Sequence, residues 1–248
     1  MNGSGAGHMI NVADPTAEYA WLGESPEEVS TGFDPDGWAA SIWVLHAMYE
    51  DPTSVSEATV PDGGERRAGG EPGSARARVT GVQLGLTRHP GRSWRRLTWA
   101  ELRTRTGATT PAVPPCHRWF PYSVWPTTIV PPGEGSLDAE SLQLLITILQ
   151  ENSSEGADTE CLASYALVPA GGKPDLWRGA LRDVPQLPSM RPPGRAGVYD
   201  ASPSNIWPVD RSWFVLTDWD LMGTKISGSA ELISRLEAEP GLETTRWP

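Results

Sequence analysis

The residues of this 248-residue chain with the most chemistry to offer lie toward its C-terminal end, where Asp218 and Asp220 stand two apart. On a continuing strand such a pair puts both carboxylates on one face. Paired carboxylates hold Mg²⁺ or Mn²⁺ through oxygen ligands in nucleotide-sugar transferases. Across a cleft, at about 5–9.5 Å, they serve as acid and base in glycosidases. With Asp210 upstream they make the set Asp210, Asp218 and Asp220 that a metal-assisted hydrolase or transferase would use. The phosphatase form of Asp-x-Asp needs a Thr four residues after its first Asp, and Met222 stands there instead. The structural reading of the same residues is stronger. Carboxylates at a strand end accept backbone N–H bonds in the turn that follows, Asp210-Arg211 suits an ion pair or a turn cap, and Lys225 is placed to pair with Asp218 or Asp220.

Cys116-His117 is the other reactive pair. A thiolate nucleophile needs a base within hydrogen-bond reach, yet neighbours on an extended segment point to opposite faces. The base would have to be His46 or His89, and neither lies in a nucleophile signature. Zinc needs about four Cys or His ligands, and no C-x₂-C or H-x₃-H spacing occurs, so no metal site is assigned. His46 reads as a core histidine satisfied by a carbonyl. Gly171-Gly172-Lys173-Pro174 lacks the first spaced glycine of a phosphate loop, and its proline removes a donor. No cofactor is implied.

The twelve Trp against three Phe are the stronger sign of recognition, because Trp and Arg anchor binding surfaces. Trp119, Trp125 and Trp207 lie in Pro-rich segments and are expected to form a groove or partner face with Arg211 and Trp219. The net charge of −11 is unevenly spread. Residues 1–65 hold twelve Asp or Glu and no Lys or Arg, whereas residues 66–105 hold ten Arg against two Glu. The arginines of 88–105, with Trp94 among them, could clamp a phosphate backbone. The acidic N-terminal third can neutralise them within the molecule, and strong overall acidity repels polyanions, so nucleic acid is not the expected partner.

Periodicity outlines the scaffold for these residues. Residues 1–8 resemble a leftover of expression cloning. Residues 9–52 form an N-terminal helical segment, because Trp38, Ile42, Leu45 and Tyr49 make one helical stripe after Asp34-Pro35-Asp36-Gly37. Residues 53–78 are full of Gly and Pro and predict a flexible linker or long loop, leaving 79–248 as the core domain. Strands are expected over 79–87, 161–168, 195–199, 212–217 and 224–227. Helices are expected over 99–106 capped by Thr98, 137–151 capped by Ser136, and 230–239 capped by Ser229. Prolines keep 108–133 extended. No run of about 18 apolar residues exists to span a membrane. The absence of a leader pattern and a count of only two cysteines suit a reducing cytoplasm.

The segment 205–221 (NIWPVDRSWFVLTDWDL), with Gly228-Ser229 and Leu232-Ile233 after it, resembles the C-terminal signature of an uncharacterised family of high-GC bacterial hypothetical proteins. The order of helix 137–151, Cys161, Trp177 with Gly179, and Tyr199 is similar too. That resemblance implies one domain over 79–245 and carries no activity or catalytic residue. The residues themselves point to a loop-rich α+β fold with a single mixed or antiparallel sheet and flanking helices. The expected function is that of a cytosolic binding or accessory protein, immunity-like or regulatory, that recognises a protein partner or small ligand through a Trp-rich surface.

Overall fold

A computed structural model of the chain describes residues 8–23, 32–53, 76–79, 89–121, 124–126, 128–165, 175–190 and 201–247. The chain opens with β1 (Ile10–Asn11) and a short helix α1 (Thr16–Tyr19) continued by a 3-10 turn. Then follow β2 (Ala40–Leu45), β3 (Met48–Glu50), β4 (Arg76–Val79), β5 (Arg95–Leu97) and α2 (Trp99–Thr106). The middle carries β6 (Val124–Pro126), β7 (Ile129–Val130), α3 (Ala139–Glu151), β8 (Glu160–Tyr165), β9 (Asp175–Ala180) and α4 (Leu187–Met190). The last stretch is β10 (Asn205–Pro208), β11 (Phe214–Thr217), β12 (Gly223–Gly228), α5 (Ala230–Glu237) and β13 (Thr244–Thr245).

Eight of these strands form one antiparallel sheet in the order β1-β9-β8-β10-β11-β12-β2-β13. A three-stranded sheet, β5-β3-β7, and the pair β4-β6 complete an α+β fold. Register lines up Ala163, Ile206, Val215, Ile226 and Ile42 as one apolar row across the large sheet. That row packs against α3 and α5 through Leu145, Ile146, Leu149, Ile233 and Leu236. Residues one step along each strand point to the opposite face, where Leu162, Leu176, Trp207, Phe214 and Leu216 are buried under the N-terminal segment. The sheet is therefore covered on both sides.

That double burial explains one correction. Residues 38–49 are not a helix: Ala40–Leu45 is β2, bonded between β12 and β13, and Met48–Glu50 is β3. Ser41 and Trp43 face one way and Ile42 and Val44 the other, so the run carries apolar residues on both faces and mimics a helical stripe. The N-terminal segment is consequently woven into the main sheet. Residues 76–78 are likewise strand rather than linker, paired with β6. The rest of the expected linker from 54 to 75, the strand beyond Val79, the strand over 195–199 and the glycines at 171–172 lie outside the described residues.

The helices follow their caps. Thr98 and Glu101 form a reciprocal capping box on α2, and Gly107 closes it in the left-handed region at φ 64°. Glu243 adds a second cap, its carboxylate accepting from the N–H groups of Trp99 at 2.7 Å and Ala100 at 2.9 Å. The cap of α3 is Asp138 rather than Ser136, and α3 starts at Ala139. The hydroxyl of Ser136 instead accepts the Ser202 N–H at 2.9 Å. Among the described residues no helix is long and apolar enough to cross a membrane.

His46 sits at the centre of this packing. Its Nδ1 donates to the Gly133 carbonyl at 2.5 Å, and its Nε2 accepts from the Thr224 hydroxyl at 3.0 Å, which is itself bonded to Thr217 at 2.9 Å. Burial disfavours the imidazolium and lowers its pKa from 6.5 to about 4, against the smaller pull of the Gly133 carbonyl and the Asp138 carboxylate. An unfolded chain binds this proton from about pH 6.5, the folded one only near pH 4. The neutral ring therefore contributes stability that is complete above pH 6.5 and is lost as pH falls toward 4. The full difference amounts to roughly 3 kcal/mol. Urea unfolding at pH 7 and pH 4.5 should show a smaller acid loss in His46→Gln than in the parent chain; equal losses would place the acid sensitivity elsewhere.

Candidate functional site

Strand β11 has the carboxylates at its two ends. Asp210 lies in the turn that leads into it, and Asp218 and Asp220 lie in the turn that leaves it. The three therefore do not converge. β11 stops at Thr217, so Asp218 and Asp220 do not share a strand face. Asp218 Oδ1 accepts the Asp220 N–H at 2.8 Å, and Asp210 Oδ1 accepts the Ser212 N–H at 3.0 Å. Both are carboxylates that close their own turns. Lys225 instead meets Asp34 through both carboxylate oxygens, at 3.0 and 2.8 Å.

Three loops meet where β11 turns into β12. Met222 donates its N–H to the Pro115 carbonyl at 2.8 Å, and Gly135 donates to the Leu221 carbonyl at 2.8 Å. Gly135 holds φ 68°, and a Cβ there would come within 2.9 Å of the Trp219 Cα, so only glycine lets the loops close. This junction gathers His117, Glu134, Asp218 and Asp220. Burial raises the pKa of half-buried Glu134, with His117 lowering it and Asp220 raising it further. Cys116 and His117 diverge as neighbours on extended chain should, the thiol buried with the β3-β5-β7 layer and the imidazole exposed. Both nitrogens of His46 are already engaged. Among the described residues no three His, Cys, Asp or Glu side chains are arranged to hold a metal ion.

The tryptophans expected to form a groove are core residues. Trp119 and Trp125 are buried among Trp99, Phe120 and Leu97, with the Trp119 indole donating to the Val113 carbonyl at 2.9 Å. Trp207 is buried at the centre of the opposite sheet face. The chain is not extended throughout: Trp119 ends a 3-10 turn over His117–Trp119, whereas Trp125 and Trp207 lie on β6 and β10, and all three bury their indoles against apolar layers. Trp219 is half-buried and Arg211 is exposed, so two of the five expected binding residues reach the surface.

Arg211 marks the better site. It is the one non-glycine residue with positive φ among those described, at 58°, and its N–H closes the turn onto Pro208 at 2.9 Å. This conformation lays the guanidinium over the Trp21 ring, 4.8 Å from its centroid. Trp21 meets Phe214 edge-on at 5.8 Å, and Trp38 stacks on the same Phe214 at 6.3 Å. Trp21 and Trp38 are only half-buried. The two indoles thus flank one buried phenylalanine on the sheet face away from the helices, and Arg211 covers one of them. Beside Trp38 a cleft of about 170 Å³ opens between Pro35, Asp36, Ser41 and Lys225.

The N-terminal segment that supplies Trp21 and Trp38 is pinned at several points. Asn205, fully buried, accepts the Phe33 N–H at 2.8 Å and donates to the Phe33 carbonyl at 2.9 Å. Glu18 pairs with Arg178 at 3.0 Å, and Asp34 with Lys225. The sequence held a clue in Asp34-Pro35-Asp36-Gly37, which is a turn into β2 rather than a helix start, with Gly37 at φ 98°. Trp21 carries no local signal.

The Arg-rich block is drawn inward. Arg95 and Arg105 both reach Glu50, at 2.5 and 2.6 Å, and Glu101, at 3.0 and 3.3 Å. Burial opposes ionisation of Glu50, but hydrogen bonds from Arg105 and Arg95 hold its carboxyl below the usual range. Arg96 donates to the Gly241 carbonyl at 2.9 Å.

The backbone at Arg211 yields a stability test. Arg211→Ala and Arg211→Gly both lose the cation–π contact, but only glycine takes the left-handed region without steric cost, so the glycine variant should be more stable by about 1 kcal/mol. Chemical unfolding of the two variants measures this, and an alanine variant equal to the glycine variant would show that the turn has relaxed. No protein-family model matches the chain, and no curated protein or solved structure matches it either.

Proposed function

We propose that this chain is a cytosolic binding or accessory protein, of immunity-like or regulatory type, that recognises a protein partner through the face built by Trp21, Trp38 and Arg211. The observation that carries this reading is the grouping of two half-buried indoles on Phe214 with an exposed guanidinium laid over one of them. Trp and Arg are the residue types that concentrate binding energy when partly desolvated beforehand. A conformation normally left to glycine is used to place Arg211 there, and such backbone strain gathers at functional positions.

A macromolecular partner suits the dimensions better than a small ligand. The adjoining cleft, about 170 Å³, falls below the ~300–1,000 Å³ of sites that enclose a drug-sized molecule. It can accept one side chain of a partner. Of the carboxylates of the metal-assisted alternative, Asp210 and Asp218 are engaged in closing turns at opposite ends of β11, which favours recognition over catalysis.

The test compares three versions of the full chain as bait in native lysate of the source organism. The parent chain and Asp218→Asn/Asp220→Asn should retain the same partner, and Arg211→Glu should lose at least nine-tenths of it. Arg211 is exposed, so its variant should fold, and circular dichroism checks that it does. A partner held equally by all three would move recognition to another surface. One lost only from the aspartate variant would return the β11–β12 turn to first place.

A further inference from the structure

We infer that the guest of this face is a cationic protein segment, with one Lys or Arg side chain seated in the cleft between Trp38 and Asp36. The inference rests on the binding reading above and adds the chemistry of the partner. Three separate features support it. The first is electrostatic. The described part of the segment that builds the face, residues 8–23 and 32–38, holds Asp14, Glu18, Asp34 and Asp36 and no Lys or Arg, in a chain of net charge −11. Such a field draws basic partners and repels acidic ones at distances of a Debye length, about 8 Å in physiological salt.

The second feature is how the cations near the cleft are disposed; Arg211, the exposed cation of the face, lies over Trp21 and does not line the cleft. Lys225, which lines the cleft, is bonded to both oxygens of Asp34, so its charge is answered on the spot. Arg178 is answered by Glu18 and Glu160. Asp36, by contrast, is exposed and lines the same cleft.

The third feature is the aromatic wall. Arg211 over Trp21, at 4.8 Å, shows that an indole on this face receives a guanidinium. Trp38 offers a second indole beside Asp36, its own N–H already turned away to the Pro35 carbonyl at 2.7 Å. An indole face and a carboxylate together suit a Lys or Arg whose alkyl stem lies on the ring and whose charge meets the acid. The cleft, at about 170 Å³, has room for one such side chain and little more.

The test uses a fluorescein-labelled nona-arginine peptide and its nona-glutamate counterpart, titrated with the full chain at 50 mM and 150 mM NaCl and read by anisotropy. The parent chain should bind the arginine peptide and not the glutamate peptide. Asp36→Lys should weaken that binding at least tenfold. Glu155→Lys makes the same charge change at an exposed position in the α3–β8 loop and should weaken it less than twofold. Equal weakening by both variants would reduce the effect to net charge and overturn the site. So would tighter binding of the glutamate peptide, or no binding of the arginine peptide at 50 mM NaCl. If Arg211→Glu loses its native partner while Asp36→Lys leaves peptide binding intact, the face stands and its cationic guest falls.

Discussion

The buried carboxamide of Asn205 holds the N-terminal segment against the sheet, and the face proposed for recognition is built on that anchor. The side chain answers both backbone groups of Phe33 and also donates to the Val215 carbonyl at 3.1 Å. One residue of β10 thereby imitates a strand pairing with a segment 172 positions away. Removing it would leave the Phe33 N–H and C=O buried and unanswered, at about 1–3 kcal/mol for each group. Gly32 is part of the same fit. It sits at φ 133°, and a Cβ there would approach Leu216 Cδ1 to 2.7 Å. With Phe33 fixed, Tyr19, Phe33 and Trp207 close into one aromatic cluster, with ring centroids 5.2 Å apart for Tyr19–Phe33 and 6.1 Å for Tyr19–Trp207. Trp21 and Trp38 are left at its margin.

Local signals in the sequence were readable where one residue fixes one terminus. Thr98 with Glu101, Gly107 after α2, and Ser229 before α5 stand where capping chemistry requires them. The strong strand at Phe214–Thr217 and its partner from Gly223 follow from β-branched and aromatic content. The misreading of 38–49 has a physical cause. A strand buried on both faces loses the polar alternation that marks a half-exposed one, and Trp38, Ile42, Leu45 and Tyr49 then fit a helix by coincidence of spacing. What distinguished β2 was tertiary: five strands of sheet already assembled from the C-terminal half needed a neighbour for β12, and residues 40–45 supply it.

The tryptophans teach the same lesson in reverse. Trp119 and Trp125 sit among prolines, which suggests a surface loop, yet an extended segment can cover as much apolar area as a helix when it lies on a layer. Trp119, Phe120 and Trp125 bury their rings in this way against Leu97, Trp99 and Leu102, and the Val113 carbonyl serves the Trp119 indole. The indoles that do reach the surface, Trp21 and Trp38, lie in a stretch whose position depends on Asn205 and Lys225. No periodicity within residues 20–40 encodes a contact made across nearly the whole chain.

Charge segregation along the sequence carries through to the surface of the fold. Glu50 belongs to the acidic third of the sequence, and it draws Arg95 and Arg105 into a network with Glu101, so part of the basic block is neutralised inside the fold. These contacts are largely exposed and add little to stability individually. Their larger effect is on the surface field: arginines that would otherwise present a positive patch are matched by carboxylates on β3 and α2. The acids of the segment over the sheet are matched less completely, since Lys225 and Arg178 occupy Asp34, Glu18 and Glu160, while Asp36 stays exposed beside an indole. Part of the basic block is thus cancelled within the fold while Asp36 stays exposed beside an indole, and that pairing is what the proposed basic partner would recognise.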